Sequence, residues 1–407
     1  AKTLFPYTTL FRSNLQQVVI SRRGFLTAST AAASAAVGAA TASALQPKAD
    51  EVANATAIGL KTVDPHGKHQ AGIALDLQAH SRFIAFDVSA KTTKAELAKW
   101  AEIITDDIRR LTKGEPVLAD PTEQFAGHPA RLTITVGFGP RLLRQLKVEA
   151  PKGFTELPKF KVDRLTPEYS DGDILLHVSA DDPITLFHAS RALIRDTEGF
   201  ANLRWVQEGF TNAAGVKRPG QTQRNLMGQV DGTDNPAFGT DQFNDLVWIK
   251  DGPDWAIGGT QLVLRRIKMN LDTWDRLSTD QKEGVIGRKL SNGAPLTGSK
   301  ERDLPNFDAV DSNGIKVIPP YAHIRKAAGK AGQQFFRRPF NYEVPGQEAG
   351  LLWTAYCANL TEQYIPIQTE LDEGDLLNLW TTPVGSSVWV IPRGFGEGET
   401  LASELFS

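Results

Sequence analysis

The densest group of polar residues that could do chemistry lies at residues 228–236, with the sequence GQVDGTDNP. Such a composition usually marks a solvated turn. Asp231, Thr233 and Asn235 also occupy the first, third and fifth positions of a calcium-binding loop. The sixth position is proline and the twelfth is Gln242, where an EF-hand needs Gly and Glu, so the sequence excludes that kind of site.

Two further groups of candidates follow the loop, His323 and the pair Arg337-Arg338. The chain has seven histidines, and none has the spacing to a cysteine or carboxylate that a metal site requires. A single histidine such as His323 is more often structural than a ligand, and an arginine pair is usually a surface or ion-pair feature. Taken one at a time, these residues define no reaction.

The composition bounds the class of protein. The chain has 407 residues, 45 Lys and Arg against 47 Asp and Glu, and a net charge of -2, which argues against binding to nucleic acid by general phosphate attraction. A hydrophobic fraction of 41% excludes global disorder. The single cysteine, Cys357, excludes an internal disulfide framework and a cysteine-rich zinc site.

The first 70 residues are expected to lie outside the fold. Residues 1–20 are predicted to be a non-native leader, because residues 3–13 look like the translation of a sequencing adapter. Residues 21–44 resemble a twin-arginine signal peptide, with a pair of arginines, a weakly apolar run and a small-x-small cleavage site. Residues 45–70 are predicted to be a flexible linker. We therefore expect export by the twin-arginine machinery to the periplasm or the medium, without a stable membrane anchor.

Apolar spacing predicts the elements that would position the candidate residues. The first half is predicted to have strands at 82–88, 131–136, 173–178 and 203–207, and helices at 92–113 and 184–194. The second half is predicted to have strands at 246–249, 260–267, 351–358 and 387–391, and helices at 271–277, 280–286 and 367–380. Long loops remain at 228–243, 291–320 and 326–350.

The two halves repeat one order loosely, which predicts an α+β fold of two ferredoxin-like domains. Each domain is a β-α-β-β-α-β unit with an antiparallel sheet. We predict an N-terminal domain at residues 71–222 and a C-terminal domain at residues 223–407.

Several motifs, taken together and in order, resemble the dye-decolorizing peroxidase family over roughly residues 66–400. The resemblance is to the twin-arginine-exported branch of that family, which includes the deferrochelatase/peroxidase of bacterial iron-uptake systems. The motifs are HQAGI at 69–73, GFGP at 137–140, RNLMGQVDGT at 224–233, IGRK at 286–289, GAPLT at 293–297, HIR at 323–325 and the arginine pair at 337–338.

The resemblance implies a peroxidase with one haem b per chain, held in the C-terminal half. His323 matches the proximal iron ligand, Asp231 the distal acid–base and Arg337 the distal arginine. The other matched residues are cofactor contacts: Gly232, Thr233 and Asp234 in the loop at the haem edge, and Arg288 as a cationic contact to the haem. Residues 328–330 lack the Asn-Pro-Arg common in relatives, and Pro339 stands where relatives often have Gly.

These residue types suit peroxide cleavage. A neutral histidine leaves one face of the iron open, a carboxylate can move a proton between the peroxide oxygens, and a fixed cation stabilises the negative charge that develops. Carboxylic acids have an ordinary pKa of about 4, so we expect an acidic activity optimum. Asp375 is the candidate acceptor for the second nitrogen of His323.

Hydrogen peroxide and dye-like or phenolic donors are the expected partners. Bulky donors cannot enter a small distal pocket, so electrons could pass through aromatic side chains near the haem. The candidates in the second half are Tyr342, Tyr356, Trp353, Trp380 and Trp389, each of which is more often a core residue.

Alternative functions remain open at this point. The same family includes proteins that release iron from haem. A haem-binding or haem-transfer protein with little turnover, or a structural α+β module in which the motifs are only turns, would carry similar segments. The sequence is also compatible with a homo-oligomer.

Overall fold

The computed structural model describes residues 57–330 and 332–407. The predicted leader at 1–20 and the predicted signal peptide at 21–44 lie outside the described residues, as does the beginning of the predicted linker. Within the described part of the chain, no helix combines the length and the apolar character that crossing a membrane would need.

The described part of the predicted linker, residues 57–70, is packed on the folded body, which corrects that prediction. The amide of Ala130 donates to the carbonyl of Gly59 at 3.0 Å, and the ring of His69 stacks on Trp248 with centroids 3.7 Å apart. These contacts satisfy backbone groups and cover apolar surface, so the segment belongs to the fold.

The first half of the fold follows the predicted β-α-β-β-α-β order, with one short additional helix. Its elements are β1 His80–Val88, α1 Lys94–Leu111, β2 Thr133–Phe138, α2 Pro140–Leu146, β3 Ile174–Ala180, α3 Pro183–Thr197 and β4 Ala201–Phe210. Helix α1 begins at a capping box in which Thr93 and Glu96 satisfy each other's backbone amides. Its Leu97, Trp100 and Ile104 are buried at helical spacing, as the apolar pattern predicted.

The second half contains the same core order with more irregular connections. Its elements are α4 Asp241–Val247, β5 Thr260–Met269, α5 Leu271–Trp274, α6 Thr279–Ile286, α7 His323–Lys326, β6 Phe336–Arg337, β7 Phe340–Val344, β8 Glu348–Cys357, α8 Ile365–Gly374, β9 Thr381–Ile391 and α9 Ser403–Phe406. A π-helical turn at Leu360–Tyr364 precedes α8, and a 3₁₀ turn at Leu376–Leu379 follows it.

The strand order confirms the duplicated ferredoxin-like fold. The first half pairs its strands as β4-β1-β3-β2 and the second, without the two-residue β6, as β9-β5-β8-β7. Each half therefore has the order fourth-first-third-second, and each of these pairings is antiparallel. The halves join through Phe138↔Val390 on one side and Phe210↔Asn341 on the other, which closes a ring. The strand pairing does not fix the residue at which one domain ends and the next begins, so the boundaries at 71–222 and 223–407 stay a prediction.

The main cores lie on both sides of this sheet. One buried cluster packs α1 and α3 against the first half-sheet. A second cluster draws on strands of both halves, with Phe83, Trp205, Phe340, Tyr356 and Trp389 among its members. Side chains from the two halves therefore share one apolar interior, which joins the second half, with most of the candidate residues, to the first half.

Several predicted elements differ from the structure. Residues 246 and 247, predicted to begin a strand, are instead the last two residues of helix α4. The side chain of Thr240 caps this helix by accepting from the amide of Phe243, and the side chains of Phe243 and Val247 are buried one helical turn apart. The predicted loop at 326–350 contains β6 and β7, which pair with β8. The loop at 291–320 has neither helix nor strand, as predicted.

Candidate active site

The loop that carries Asp231 is held by its own backbone. The amide of Asp231 donates to the carbonyl of Gln223 at 2.9 Å, and Arg224 forms an isolated bridge with Val230. The turn continues through Gly232, whose φ of +124° lies where L-residues are strained. Only a glycine fits this backbone without cost, so the loop presents the Asp231 carboxylate immediately before a fixed bend.

Arg337 reaches the same loop from strand β6. The strand pairs Arg337 with Ala355 of β8. The side chain of Asn235 holds the backbone of Arg337 from the loop. Its Nδ2 donates to the Arg337 carbonyl at 2.8 Å, and its Oδ1 accepts from the backbone N–H of Arg337 at 3.0 Å. The guanidinium Nη1 then lies 3.5 Å from Oδ1 of Asp231, with exposed side-chain fractions of 23% and 11%.

His323 opens helix α7 and is oriented by Asp375. Its Nδ1 donates to Oδ2 of Asp375 at 2.6 Å, and the Asp375 side chain is only 3% exposed. Burial by itself lowers the pKa of His323, but the charge and hydrogen bond of Asp375 outweigh it, so the pKa is raised. The positive charge of Arg337 lowers the pKa of His323, and the negative charge of Asp231 raises it.

The prediction that Asp375 accepts from His323 matches the structure and explains a break in the predicted helix at 367–380. Helix α8 ends at Gly374, and Asp375 adopts an extended conformation with φ of -80° and ψ of 117°. Its Oδ1 accepts the amide of Leu377 at 2.9 Å and caps the following 3₁₀ turn. The Asp375 carboxylate therefore both caps the 3₁₀ turn that follows α8 and accepts the hydrogen bond of the His323 ring.

Short contacts fix helix α7 beside α6. Gly287, at φ +90°, ends α6, and a Cβ there would lie 2.6 Å from Cγ1 of Ile324. Arg325 donates from Nη2 to the carbonyls of Phe307 at 2.6 Å and Ile318 at 2.7 Å, which anchors the long loop ahead of the helix. The position of His323 thus depends on Gly287 and Arg325 as well as on Asp375.

The predicted cofactor contacts differ in what they touch. Arg288 donates from Nη1 to the carbonyls of Gly293 and Glu301, both at 2.8 Å. Burial lowers the pKa of Arg288, while the nearby Asp234 opposes this effect and Arg337 adds to it. Asp234 itself is exposed. Thr233 donates from its hydroxyl to Oε1 of Glu301 at 3.0 Å, so that hydroxyl braces the loop.

Two residues at the site were missed from the sequence. Asn235 stands inside the motif, but nothing in its type distinguishes a clamp from a turn residue. Glu301 accepts from both Thr222 and Thr233 and lies 68 positions after the second of them, so no local pattern could have pointed to it.

The departures from the family pattern leave the arginine in place. Arg337 pairs with Ala355 and Phe340 with Leu352, so the register runs unbroken through Pro339, which only removes one donor from the ladder. Gly329 has φ of +60°, which a proline cannot adopt, so this turn follows a different backbone path from one with Asn-Pro-Arg.

The second arginine of the pair has a separate role. Arg338 is 1% exposed, and its guanidinium donates to the carbonyl of Leu75 and, at 3.4 Å, to Oε1 of Gln78, both in the first half. Burial lowers its pKa to about 10. Arg337 therefore points toward the site while its neighbour ties the strand to the other domain.

Three of the five aromatic candidates for electron transfer are core residues. Tyr342 is 2% exposed, and Tyr356 and Trp389 are 0% exposed. Trp353 and Trp380 are half-buried. The interpretation of these side chains as packing residues is therefore favoured for the first three.

The donor set fits the predicted haem. Asp375 occupies Nδ1 of His323, and among the described residues Nε2 makes no hydrogen bond, while the side chain stays 29% exposed. One free imidazole nitrogen is what a five-coordinate haem iron takes from a protein. Arg288 uses only Nη1 in the hydrogen bonds found within the described chain, which leaves donors for a propionate.

Comparisons with family models match both halves of the chain. The model described as "Dyp-type peroxidase, N-terminal" matches residues 70–211, and the one described as "Dyp-type peroxidase, C-terminal" matches residues 222–395.

Individual relatives and solved structures agree. A dye-decolorizing peroxidase from Thermobifida fusca is 34% identical over 95% of this chain and 97% of its own length. A deferrochelatase from Escherichia coli is 31% identical over 79% of this chain and 81% of its own. The crystal structure of a DyP-type peroxidase from Cellulomonas bogoriensis superposes with a TM-score of 0.83 at 44% identity, covering 86% of this chain and 100% of that one. DtpA from Streptomyces lividans gives 0.82 at 36% identity, covering 86% and 99%.

Proposed function

Because this chain belongs to the Dyp-type peroxidase family and is a haem-dependent peroxidase, we propose that Asp231 and Arg337 act on the peroxide and that His323 binds the haem iron. The single observation that carries this assignment is the pair itself. The Asp231 carboxylate and the Arg337 guanidinium lie 3.5 Å apart.

His323 and Asp375 form the ligand side of the site. Haem, when bound, supplies the iron at which peroxide is reduced and the oxidising equivalents are stored. Asp375 keeps the proton on Nδ1 of His323, so the lone pair of Nε2 is free for a metal, and its negative charge makes the imidazole a stronger donor.

Asp231 and Arg337 form the peroxide side. The ionised carboxylate of Asp231 can take a proton from one peroxide oxygen and return it to the other oxygen, which leaves as water. The Arg337 guanidinium, fixed through its backbone by Asn235, offers a positive charge where negative charge builds up during O–O cleavage. Both groups are mostly buried, which strengthens their electrostatic effect.

We propose one haem b per chain, bound without covalent attachment. A c-type haem requires two cysteines, whereas the chain has one, Cys357, and that side chain is fully buried. A pyridine haemochrome spectrum with one equivalent per chain would support this assignment, and a spectrum of a thioether-linked haem would contradict it.

We also propose export by the twin-arginine machinery, which carries folded proteins and so suits an enzyme loaded with haem beforehand. The support is the segment at residues 21–44. A signal-dependent shift of the protein to the periplasm or medium, abolished when Arg22-Arg23 becomes Lys-Lys, would support the proposal.

The test of the site compares Asp231→Asn and Arg337→Leu with the exposed control Asp241→Asn. Loss of the proton carrier or of the charge should each lower kcat/KM for peroxide by roughly 10²–10⁴-fold, with haem still bound. The acidic optimum should disappear in Asp231→Asn. Retention of full peroxide turnover in either variant, or a neutral-to-alkaline optimum in the wild-type enzyme, would contradict the assignment.

Release of iron from haem is a second candidate activity, favoured by the deferrochelatases among the relatives, which are 31% and 32% identical to this chain. Incubation with haem and a reductant, followed by extraction of the porphyrin, separates the two. Metal-free porphyrin would support iron release. Intact haem together with dye bleaching would support peroxidase activity without iron release.

A further inference from the structure

Two buried glutamines lie beside Asp231, and neither takes part in the proposed proton transfer. The bridge between Arg224 and Val230 places Gln223 directly opposite Asp231, whose backbone amide donates to the Gln223 carbonyl at 2.9 Å. Side chains directly opposite each other, or two positions apart on one strand, lie on the same face. Gln223, Gln229 and Asp231 therefore share one face of this ladder. The two glutamines are each 9% exposed, and the Asp231 side chain is 11% exposed.

The side-chain amide of Gln223 has a free acceptor. Its Nε2 donates to the carbonyl of Pro339 at 3.0 Å, and since a carbonyl can only accept, the orientation of this amide is fixed. Its Oε1 is buried and has no hydrogen-bond partner within the described chain. Pro339 directly follows the arginine pair that begins with Arg337. Gln223 thus contacts the segments of both groups proposed to act on peroxide, and it leaves one acceptor unused.

The side-chain amide of Gln229 has a free donor. Oδ1 of Asn225 accepts the backbone amides of Met227 at 3.0 Å and Gln229 at 3.3 Å, so Nδ2 of Asn225 is the atom that donates to Oε1 of Gln229, at 3.3 Å. Nε2 of Gln229 is then a buried donor without a partner among the described residues. One face of the ladder therefore carries a free acceptor, a free donor and the Asp231 carboxylate.

This combination of groups restricts the class of ligand. A buried donor or acceptor is costly to leave unpaired, so we expect a molecule to bond to both amides. That molecule must donate to Gln223 and accept from Gln229. An anion without a hydrogen cannot donate to Gln223, and an apolar ligand can do neither. Hydrogen peroxide can do both, because each of its oxygens carries a hydrogen and lone pairs.

We propose that Gln223 and Gln229 orient hydrogen peroxide beside Asp231, and that Gln223 selects it over organic peroxides. The oxygen that leaves as water keeps its own hydrogen, and this O–H donates to Oε1 of Gln223. Nε2 of Gln229 donates to the same oxygen, on which negative charge builds up as the O–O bond breaks. Asp231 brings the second proton to that oxygen, and water departs. Neither glutamine gains or loses a proton.

An alkyl hydroperoxide separates the two contacts. Its leaving oxygen carries a carbon in place of the hydrogen, so it cannot donate to Gln223, but it can still accept from Gln229. A site built to bond a substrate O–H discriminates against the analogue that lacks it. The proposal therefore assigns peroxide selectivity to Gln223 and a rate effect on both kinds of peroxide to Gln229.

This inference rests on the proposed function, since it needs Asp231 to act on the peroxide. The experiment uses the haem-loaded full chain and compares Gln223→Met, Gln229→Met and Gln261→Met with the wild type. Methionine keeps the length of the side chain and removes both polar atoms. Gln261 provides the matched control, because it is 0% exposed and both of its polar atoms have protein partners.

The first readout is the single-turnover rate constant with hydrogen peroxide and with methyl hydroperoxide, followed by the change in the Soret band. The ratio of the two constants should fall about tenfold or more in Gln223→Met, equivalent to about 1.4 kcal/mol. In Gln229→Met both constants should fall about tenfold and their ratio should not change. Gln261→Met should keep the wild-type ratio. A displaced Asp231 or Arg337 would slow both peroxides alike, so the ratio distinguishes a substrate contact from a structural role.

The second readout is a high-resolution crystal structure of the resting, haem-loaded enzyme. Water donates and accepts as peroxide does, so an ordered oxygen should lie within about 3.2 Å of both Oε1 of Gln223 and Nε2 of Gln229. An oxygen that contacts only one of the two amides, or none, contradicts the proposal.

The outcomes separate this inference from the proposed function. If the wild type reacts with hydrogen peroxide and the ratio is unchanged in Gln223→Met, the role of Gln223 alone is overturned. If Gln223→Met does not fold, Gln223→Asn, which draws the amide back by one methylene, replaces it with the same expectation. If the wild-type chain reacts with neither peroxide, the proposed function fails, and the role of the two glutamines fails with it.

Discussion

At the scale of single residues, Asp375 shows how one side chain can serve the fold and the chemistry together. Its two oxygens have different partners, the amide of Leu377 and the ring of His323. The carboxylate lies beside the imidazole at the point where helix α8 has ended. The residue at which the predicted helix is interrupted is therefore also the one that holds the His323 ring.

Replacing Asp375 by Asn should raise the reduction potential of the haem iron. The amide oxygen can still accept from Leu377, but the neutral group leaves the His323 imidazole a poorer donor, so ferric iron is less stabilised. A charged hydrogen bond of this kind contributes about 1.5–3 kcal/mol. Spectroelectrochemical titration measures the shift, with the exposed neighbour changed in Glu373→Gln as control. Equal potentials for Asp375→Asn and wild type would show that the contact does not tune the iron.

The candidate site residues could be proposed from the sequence only because a resemblance joined motifs far apart in the chain. Asp231 and Arg337 do lie together, and Asp375 does hold His323. The partners that position them, such as Glu301, are set by tertiary contact across a long loop and leave no local pattern.

At the scale of elements, the regular strands and helices were predictable and the irregular ones were not. The strand at 82–88 lies within β1, and the predicted helix at 280–286 lies within α6. Strands β6 and β7 escaped notice because a proline interrupts them and each is short, so their alternation is too brief to read. The site lies on such irregular elements.

The close approach of α6 and α7 should make Gly287 intolerant of a side chain. In Gly287→Ala, the new Cβ would press on Ile324 from a strained backbone, at a cost of about 1–3 kcal/mol, and displace His323. We expect haem affinity to fall roughly tenfold, equivalent to about 1.4 kcal/mol. Titration of the apoprotein with haem measures it.

A matched control lies one turn earlier. Gly284, inside α6, has open space around its Cα, so Gly284→Ala should stabilise the protein by about 0.5–1 kcal/mol and leave haem affinity as it is. A similar loss of affinity in both variants would show that α6 as a whole, and not the contact with Ile324, sets the position of α7.

At the scale of the whole molecule, a buried acid in the first half links stability to pH. Asp107 on α1 is 3% exposed, and its Oδ2 has no hydrogen-bond partner. Burial raises the pKa of Asp107 to about 7, and the neighbouring carboxylates of Asp196 and Asp106 add to the shift. The folded state thus holds a proton that the unfolded chain releases near pH 4.

The sign of the effect follows from that difference. The contribution of Asp107 to the free energy of unfolding is fully present below about pH 4 and is lost as the pH rises through about 7, with an upper limit of about 4 kcal/mol. Asp107→Asn should remove this loss, so its stability relative to wild type should increase between pH 5 and pH 8. Urea unfolding at both values measures it, with Glu102→Gln on the same helix as control. Parallel pH curves for Asp107→Asn and wild type would contradict the shift.

The buried guanidinium of Arg338 has a consequence for how this enzyme tolerates change. It donates hydrogen bonds to Leu75 and Gln78, more than 250 positions earlier in the chain, from the position next to Arg337. Substitutions in that remote segment should therefore shift β6 and, with it, the proposed site residue Arg337. A survey of inactivating substitutions should find some of them in the first half of the chain, far from all of the proposed site residues.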